Sequence, residues 1–290
     1  SINLAIEKAF KSINKKVIIF NSPVINRWGN KRDYAFKIMK NIFKDTNNVR
    51  ILDWRVYRDL DKIDWDREEG VIKKLNSDAG YKTTFIFKNS EELENTIKNF
   101  REEYENGIVI QEYCDGEEIA FGTIFIDSEP IFPYYVSFEY KKSISNEIGG
   151  NTGQSAEFGF FTNNEYGKEI LLAISDYLKR NKIKYNGVID INGAYKDGYF
   201  YPFEFTVSRD GYPEIVSFLY NNRIEDILNK KVNWKGFRYI LVVRKDIIES
   251  DNKKVEFKVN EEILKEKGLI WIPECKYKDD VYYTDKDVIL

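Results

Sequence analysis

Hydrophobic and polar positions along this 290-residue chain change period several times, and each change predicts an element. Residues 3–14 have helical spacing, Lys16–Phe20 (KVIIF) reads as a short buried strand, and Arg32–Phe43 repeats apolar residues at Ala35, Ile38, Met39 and Ile42 along one helix face. This is an α/β start. Residues 47–69 are charged and punctuated by tryptophan, which predicts an irregular connector or an edge element. A small α+β module follows, with strands at Val71–Leu75 and Thr83–Phe87 around an Asp78-Ala79-Gly80 loop, a helix over Ser90–Tyr104, and a strand at Ile108–Tyr113. Asn89 and Glu92 have the spacing of a capping pair for that helix. Strands dominate from Glu118 to Lys141, followed by a Gly-rich loop and a helix over Glu165–Lys179. The tail from Trp234 reads as β-rich with one helix near Glu261–Glu266.

Alternation is clearest between Asn186 and Glu214. The loop Lys196-Asp197-Gly198 suits a three-residue hairpin turn ending on a left-handed glycine. Counting outward from Asp197, Asp190 falls opposite Glu204, with Cβ atoms roughly 4.5–5.5 Å apart. Asn192, Thr206 and Ser208 share their face, while Ile189, Ile191, Phe203, Phe205 and Val207 take the other. Two facing carboxylates among neutral oxygen ligands suit Mg²⁺, which binds through one or two carboxylates plus substrate phosphates. The same alternation equally describes a half-buried hairpin with its polar side in water.

Composition narrows the chemistry. There is no histidine, so His-based triads, His-ligated zinc and His general bases are excluded, and catalysis would rest on carboxylates, lysines, arginines or a metal. Cys114 and Cys275 fit no metal or disulfide framework, which leaves a reducing cytoplasm as the expected location. A formal charge of −3 argues against general nucleic-acid or membrane binding. No stretch approaches a membrane span, and the start Ser-Ile-Asn-Leu has no signal-peptide pattern.

Phosphate chemistry needs cations on rigid elements and backbone N–H groups freed by glycine. VIKKLNSDAGYKTTFIF offers Lys73 or Lys74, Gly80 and Lys82; solvated strand lysines have the same appearance. Lys141 and Lys142 lead into Gly149-Gly150-Asn151-Thr152-Gly153, a loop able to wrap an anion or to serve as a surface turn. VIQEYCDGEE carries a strand into a turn, offering an adenine backbone donors and acceptors and a ribose a carboxylate, or forming a plain acidic hairpin.

Taken in order, these segments resemble the ATP-grasp superfamily, and within it the phosphoribosylamine-glycine ligase (glycinamide ribonucleotide synthetase) family, over residues 5–225. EYKK then GGNTGQSA is similar to that family's DHKR then GPNTGGMG, VIQEYCDGEE to IEEFLDGEE, and FEFTVSRDGYPE to EFNVRFGDPE. The resemblance implies an α+β ATP-grasp fold, two α+β subdomains gripping ATP, with a partial α/β N-terminal region and a β-rich C-terminal region. Its domains would be a remnant N-terminal α/β region over 1–45, a connector over 46–68, a lid subdomain over 69–115, a central subdomain over 116–228 and a C-terminal region over 229–290.

By the same resemblance Lys73, Gly80 and Lys82 would meet ATP phosphates, Gln111, Glu112 and Tyr113 the adenine, and Glu118 the ribose. Asp190, Glu204 and Thr206 would hold Mg²⁺ or Mn²⁺, with Thr206 standing where the family has Asn. Arg209, Lys141 and Asn151 would act on the transferred phosphate. The implied activity is an ATP- and Mg²⁺-dependent carboxylate–amine ligase forming an amide through an acyl phosphate, with a small carboxylate such as glycine and an amine as substrates. The family's Gly-rich N-terminal opening is missing, as if the chain begins where that domain ends. That departure and Thr206 keep two alternatives open: a nucleotide-binding relative without catalysis, and a ligase with another acceptor such as a modified nucleotide or peptide.

Overall fold

Helices and antiparallel ladders make up most of the computed structural model, which describes residues 22–76, 84–144, 148–207, 224–231, 240–243, 256–257, 261–266, 276–278 and 281–283. The helix and strand expected over 3–14 and 16–20 lie outside these residues. The chain divides into two units, one of residues 1–139 with 158–240 and one of residues 140–157 with 241–290.

Among the described residues the first unit opens with α1 (Pro23–Asn30), which apolar spacing did not predict. Its signal is the Ser22-Pro23 pair: the Ser22 hydroxyl accepts from the Val24 N–H at 3.3 Å, and proline is preorganised for the first helical turn. Helix α2 (Arg32–Ile42) buries the expected stripe of Ala35, Ile38, Met39 and Ile42, and Phe36 with it. Strands β1 (Trp54–Tyr57), β2 (Gly70–Lys74), β3 (Thr84–Phe87) and β4 (Ile108–Gln111) form an antiparallel sheet in the order β1-β4-β2-β3. The charged stretch read as connector or edge thus supplies β1 as an edge strand of this sheet. Helix α3 (Ser90–Asn99) is capped as its spacing predicts, the Asn89 side chain accepting from the Glu92 N–H at 2.9 Å; the Glu92 carboxylate reaches back to the Lys88 N–H at 2.8 Å. It stops short of Tyr104, because the chain turns there to bury Tyr104 against the sheet beside Ile97 and Ile108. Tyr57, Ile72, Phe87, Ile108 and Ile110 complete that small core under α3.

A larger sheet follows the path β10-β9-β5-β7-β8, with β6 (Glu129–Pro130) on β5. Its strands are β5 (Glu117–Ile126), β7 (Tyr134–Ile144), β8 (Ile148–Thr162), β9 (Gly187–Lys196) and β10 (Tyr199–Val207). The Gly-rich stretch at Gly149–Gly153 lies inside β8, not in a loop: strand pairing satisfies backbone groups that a glycine run would otherwise leave to water. One sheet face, with Phe121, Ile189, Ile191, Phe205 and Val207, packs under Trp28 of α1, Met39 of α2, and Ile170 and Ile174 of α4 (Glu165–Arg180). Beyond it α5 (Ile224–Leu228) lays Ile227 against Ile124, Ile126 and Val188, and β11 (Ile240–Val243) follows. The second unit contains a three-stranded sheet, β12 (Glu256–Phe257), β14 (Val281–Tyr283) and β13 (Lys276–Lys278) in that order, and the expected helix α6 (Glu261–Glu266).

Candidate functional site

The acidic hairpin closes differently from the symmetric count. Lys196 pairs with Tyr199 across a two-residue turn in which Asp197 and Gly198 have φ of 51° and 86°, the mirror-image turn that matches strand twist. Continued regularly, that ladder would bring Glu204 opposite Ile191 and aim it at the core. The register instead shifts between Pro202 and Glu204, making Phe203 the surplus residue of a bulge. After it Glu204 pairs with Asn192 and Thr206 with Asp190. The expected common polar face therefore survives, but Asp190 and Glu204 are diagonal rather than opposite. Diagonal cross-strand neighbours lie about 7–8 Å apart, their Cβ atoms somewhat less, which leaves room for a cation between the two carboxylates.

The centre of this polar face is withdrawn from solvent. Asp190 and Asn192 are 7% and 8% exposed, and the Asn192 amide donates to the Thr206 hydroxyl at 2.9 Å and lies 3.5 Å from Asp190 Oδ2. On the neighbouring strand Gly122 pairs with Asp190, and a Cβ there would stand 3.2 Å from Asp190 Oδ1. Glycine thus supplies the space the carboxylate occupies. Glu118, exposed at the start of β5, shares the face through Ala120 and Gly122.

The smaller sheet has a matching wall. Its registers align Trp54, Gln111, Val71 and Ile86 in one row, and Val56, Val109, Lys73 and Thr84 in the next, all on the face opposite α3. Gln111 is 1% exposed, yet its Nε2 has no hydrogen-bond partner among the described residues. A buried donor left so costs about 1–3 kcal/mol. Lys73, also buried, holds its ammonium 5.2 Å from the Phe203 ring and 5.9 Å from the Phe36 ring. The bulged phenylalanine, expected in the core, is half-buried and meets the lysine instead.

Arg32, which sequence reasoning missed, joins the two walls. Its guanidinium donates to the Lys74 carbonyl at 2.7 Å and lies 3.8 Å from Glu204 Oε2. A cation in the first turn of a helix opposes the helix dipole, and that anomaly was its available signal. Glu112, expected at the adenine, is engaged elsewhere: its carboxylate pairs with Arg67 and accepts from the Asp53 N–H at 3.2 Å. Burial, reinforced by Asp115 and Glu69, pushes the Tyr113 phenol up and keeps it protonated at neutral pH. Gly80, Lys82 and Arg209 lie outside the described residues. Lys141 and Asn151 are on β7 and β8 in the second unit, with side chains also outside the description.

The donor set fits the groups expected from sequence. Two carboxylates with a hydroxyl and an amide are hard oxygen ligands suited to Mg²⁺, and a purine ring nitrogen would accept from Gln111 Nε2. Among the described residues no group of three or more acidic or cysteine side chains forms a self-contained metal cage. Nor, among them, is any helix long and apolar enough to cross a membrane.

Residues 35–227 match the family model described as phosphoribosylglycinamide synthetase, ATP-grasp (A) domain. A phosphoribosylamine–glycine ligase from Fusobacterium nucleatum is 28% identical over 198 residues, covering 61% of this chain and 45% of that protein. The chain therefore spans under half the length of this curated relative. The crystal structure of phosphoribosylamine–glycine ligase from Thermotoga maritima superposes with a TM-score of 0.66 at 18% identity, covering 89% of this chain and 69% of the other, a likeness of fold.

Proposed function

From the premise that the chain belongs to the phosphoribosylglycinamide synthetase ATP-grasp (A) domain family, we propose that it is an ATP-dependent ligase joining a small carboxylate to an amine. A carboxylate oxygen of the substrate attacks the γ-phosphorus of ATP and ADP leaves, giving an acyl phosphate. The amine then attacks the acyl carbon, the C–N bond forms, phosphate departs and the amine loses its proton. Such chemistry is carried by positioning and charge neutralisation, so a chain without histidine can perform it.

In this reading Gln111 and the Trp54–Ile86 row seat the adenine, Lys73 faces the phosphates and Glu118 takes the ribose. Asp190 and Glu204, with Thr206, would hold Mg²⁺, which would supply charge neutralisation for the phosphoryl group being transferred. Roles for Gly80, Lys82, Arg209, Lys141 and Asn151 rest on the family likeness alone. The observation that carries the reading is the meeting of the Lys73 row with the acidic face, through Phe203 and Arg32, one residue from Glu204 and one strand from Asp190.

The test is a screen of amino acids against amine acceptors for ADP release, with product masses determined. ADP formation only when carboxylate, amine and divalent cation are all present is expected. A second reading, a nucleotide-binding relative without catalysis, is favoured by the Thr206 hydroxyl being held by Asn192. Calorimetric ATP binding with no ADP release from any pair would select it.

A further inference from the structure

A positive charge that is 6% exposed, with its guanidinium 3.8 Å from the Glu204 carboxylate, needs a reason. Arg32 begins α2, where the helix dipole disfavours it, and no side chain caps that end. It is nevertheless fixed to the end of β2. Its N–H donates to the Leu75 carbonyl at 3.1 Å and its guanidinium to the Lys74 carbonyl at 2.7 Å. Next to it the Lys31 ammonium donates to the Asn76 side chain at 2.7 Å. The other end of the guanidinium lies 3.8 Å from Glu204 Oε2, and the Glu204 side chain is 39% exposed where that of Arg32 is 8%. Arg32 therefore stands as an anchored, buried cation against Glu204, the more exposed of the two acids on that face.

We propose that Arg32 is a positioning residue that acts as a built-in counter-ion: it holds the Glu204 carboxylate in the cation-free protein and yields it to a divalent cation on binding. This rests on the reading of Asp190 and Glu204 as cation ligands. Its consequence is a sign. A fixed positive charge close to Glu204 repels an incoming divalent cation and competes for its ligand, so removing it tightens cation binding, whereas loss of a merely structural residue would leave binding unchanged or weaken it.

Mn²⁺ titrated into the nucleotide-free protein and followed by its electron paramagnetic resonance is the first readout. Arg32→Gln and Arg32→Met, the latter keeping the buried stem volume, are expected to bind Mn²⁺ about tenfold more tightly than the parent, and Arg32→Lys to stay within about twofold of it because the charge remains. Unchanged or weaker binding in a folded charge-removing variant overturns the proposal. The unmodified protein gives a second readout that needs no variant: the side-chain Nε–H resonance of Arg32 should shift on Mg²⁺ addition with the midpoint of binding, and a resonance that stays fixed at saturation overturns it too. Glu204→Gln separates the two claims. If it binds Mn²⁺ like the parent, the cation-ligand reading itself fails; if it loses Mn²⁺ while the charge-removing variants do not tighten, only the counter-ion role fails.

Discussion

The two walls of the site reach the same end by different routes. In the smaller sheet, unbroken alternation along β2 sends Ile72 into the core under α3 and Lys73 to the opposite face, with no irregularity to adjust it. In the hairpin, a two-residue turn would send Glu204 into the core, and a one-residue bulge at Phe203 returns it to the face of Asp190. Face identity is thus written residue by residue in one region and restored by a local correction in the other. The lesson is that a single-residue change has opposite meanings in the two places.

Deleting Ile72 should give the largest effect. It slips Lys73 into the core, burying an ammonium against Ile108 and Phe87, and the unfolding free energy from urea denaturation should fall by about 4 kcal/mol or more. Gly122→Val should come next and act on the site: the new side chain would occupy the space of the Asp190 carboxylate, and the midpoint of a Mn²⁺ titration should rise at least about tenfold while the protein still unfolds cooperatively. Deleting Phe203 should be far milder than deleting Ile72. It removes the surplus residue, leaves Glu204 opposite Asn192, and costs about 1–2 kcal/mol, with Mn²⁺ binding retained. If the two deletions destabilise equally, the contrast between the walls is wrong.

The smallest effect lies away from both walls. Lys230 and Lys179 hold the Glu129 carboxylate down to about 2. Because the folded value is depressed, its contribution is complete above the unfolded carboxylate range near 4.5 and is lost as pH falls from there toward 2. The group is exposed, so screening should keep the contribution below about 1 kcal/mol. Stability of Glu129→Gln measured against pH should lack this slope, which serves as a reference for changes made in the walls.

How much of this was legible follows from which interactions are local. The α2 stripe, the Asn89 cap, helix α4 and the common face of Asp190, Asn192 and Thr206 depend on spacing within one element, and they were readable. The facing of Asp190 and Glu204 was not, because it combined two unread features, the left-handed Asp197 and the surplus Phe203, whose effects on parity cancel while their effect on pairing does not. Trp54–Tyr57 looked irregular because an edge strand among ion pairs carries little alternation, and Gly149–Gly153 looked like a loop because glycine hides the pairing that a neighbouring strand supplies. Arg32 could be found only where the start of α2, the end of β2 and the acidic hairpin meet, a place that no single segment encodes.

The central claim is that the Lys73 wall and the acidic face serve one nucleotide and one cation together. A double-mutant cycle on Mg²⁺-ATP binding, with Lys73→Met, Glu204→Gln and the pair measured by calorimetry, tests it most directly. The account predicts a coupling of at least about 1 kcal/mol between the two substitutions; effects that add to within about 0.3 kcal/mol would contradict it.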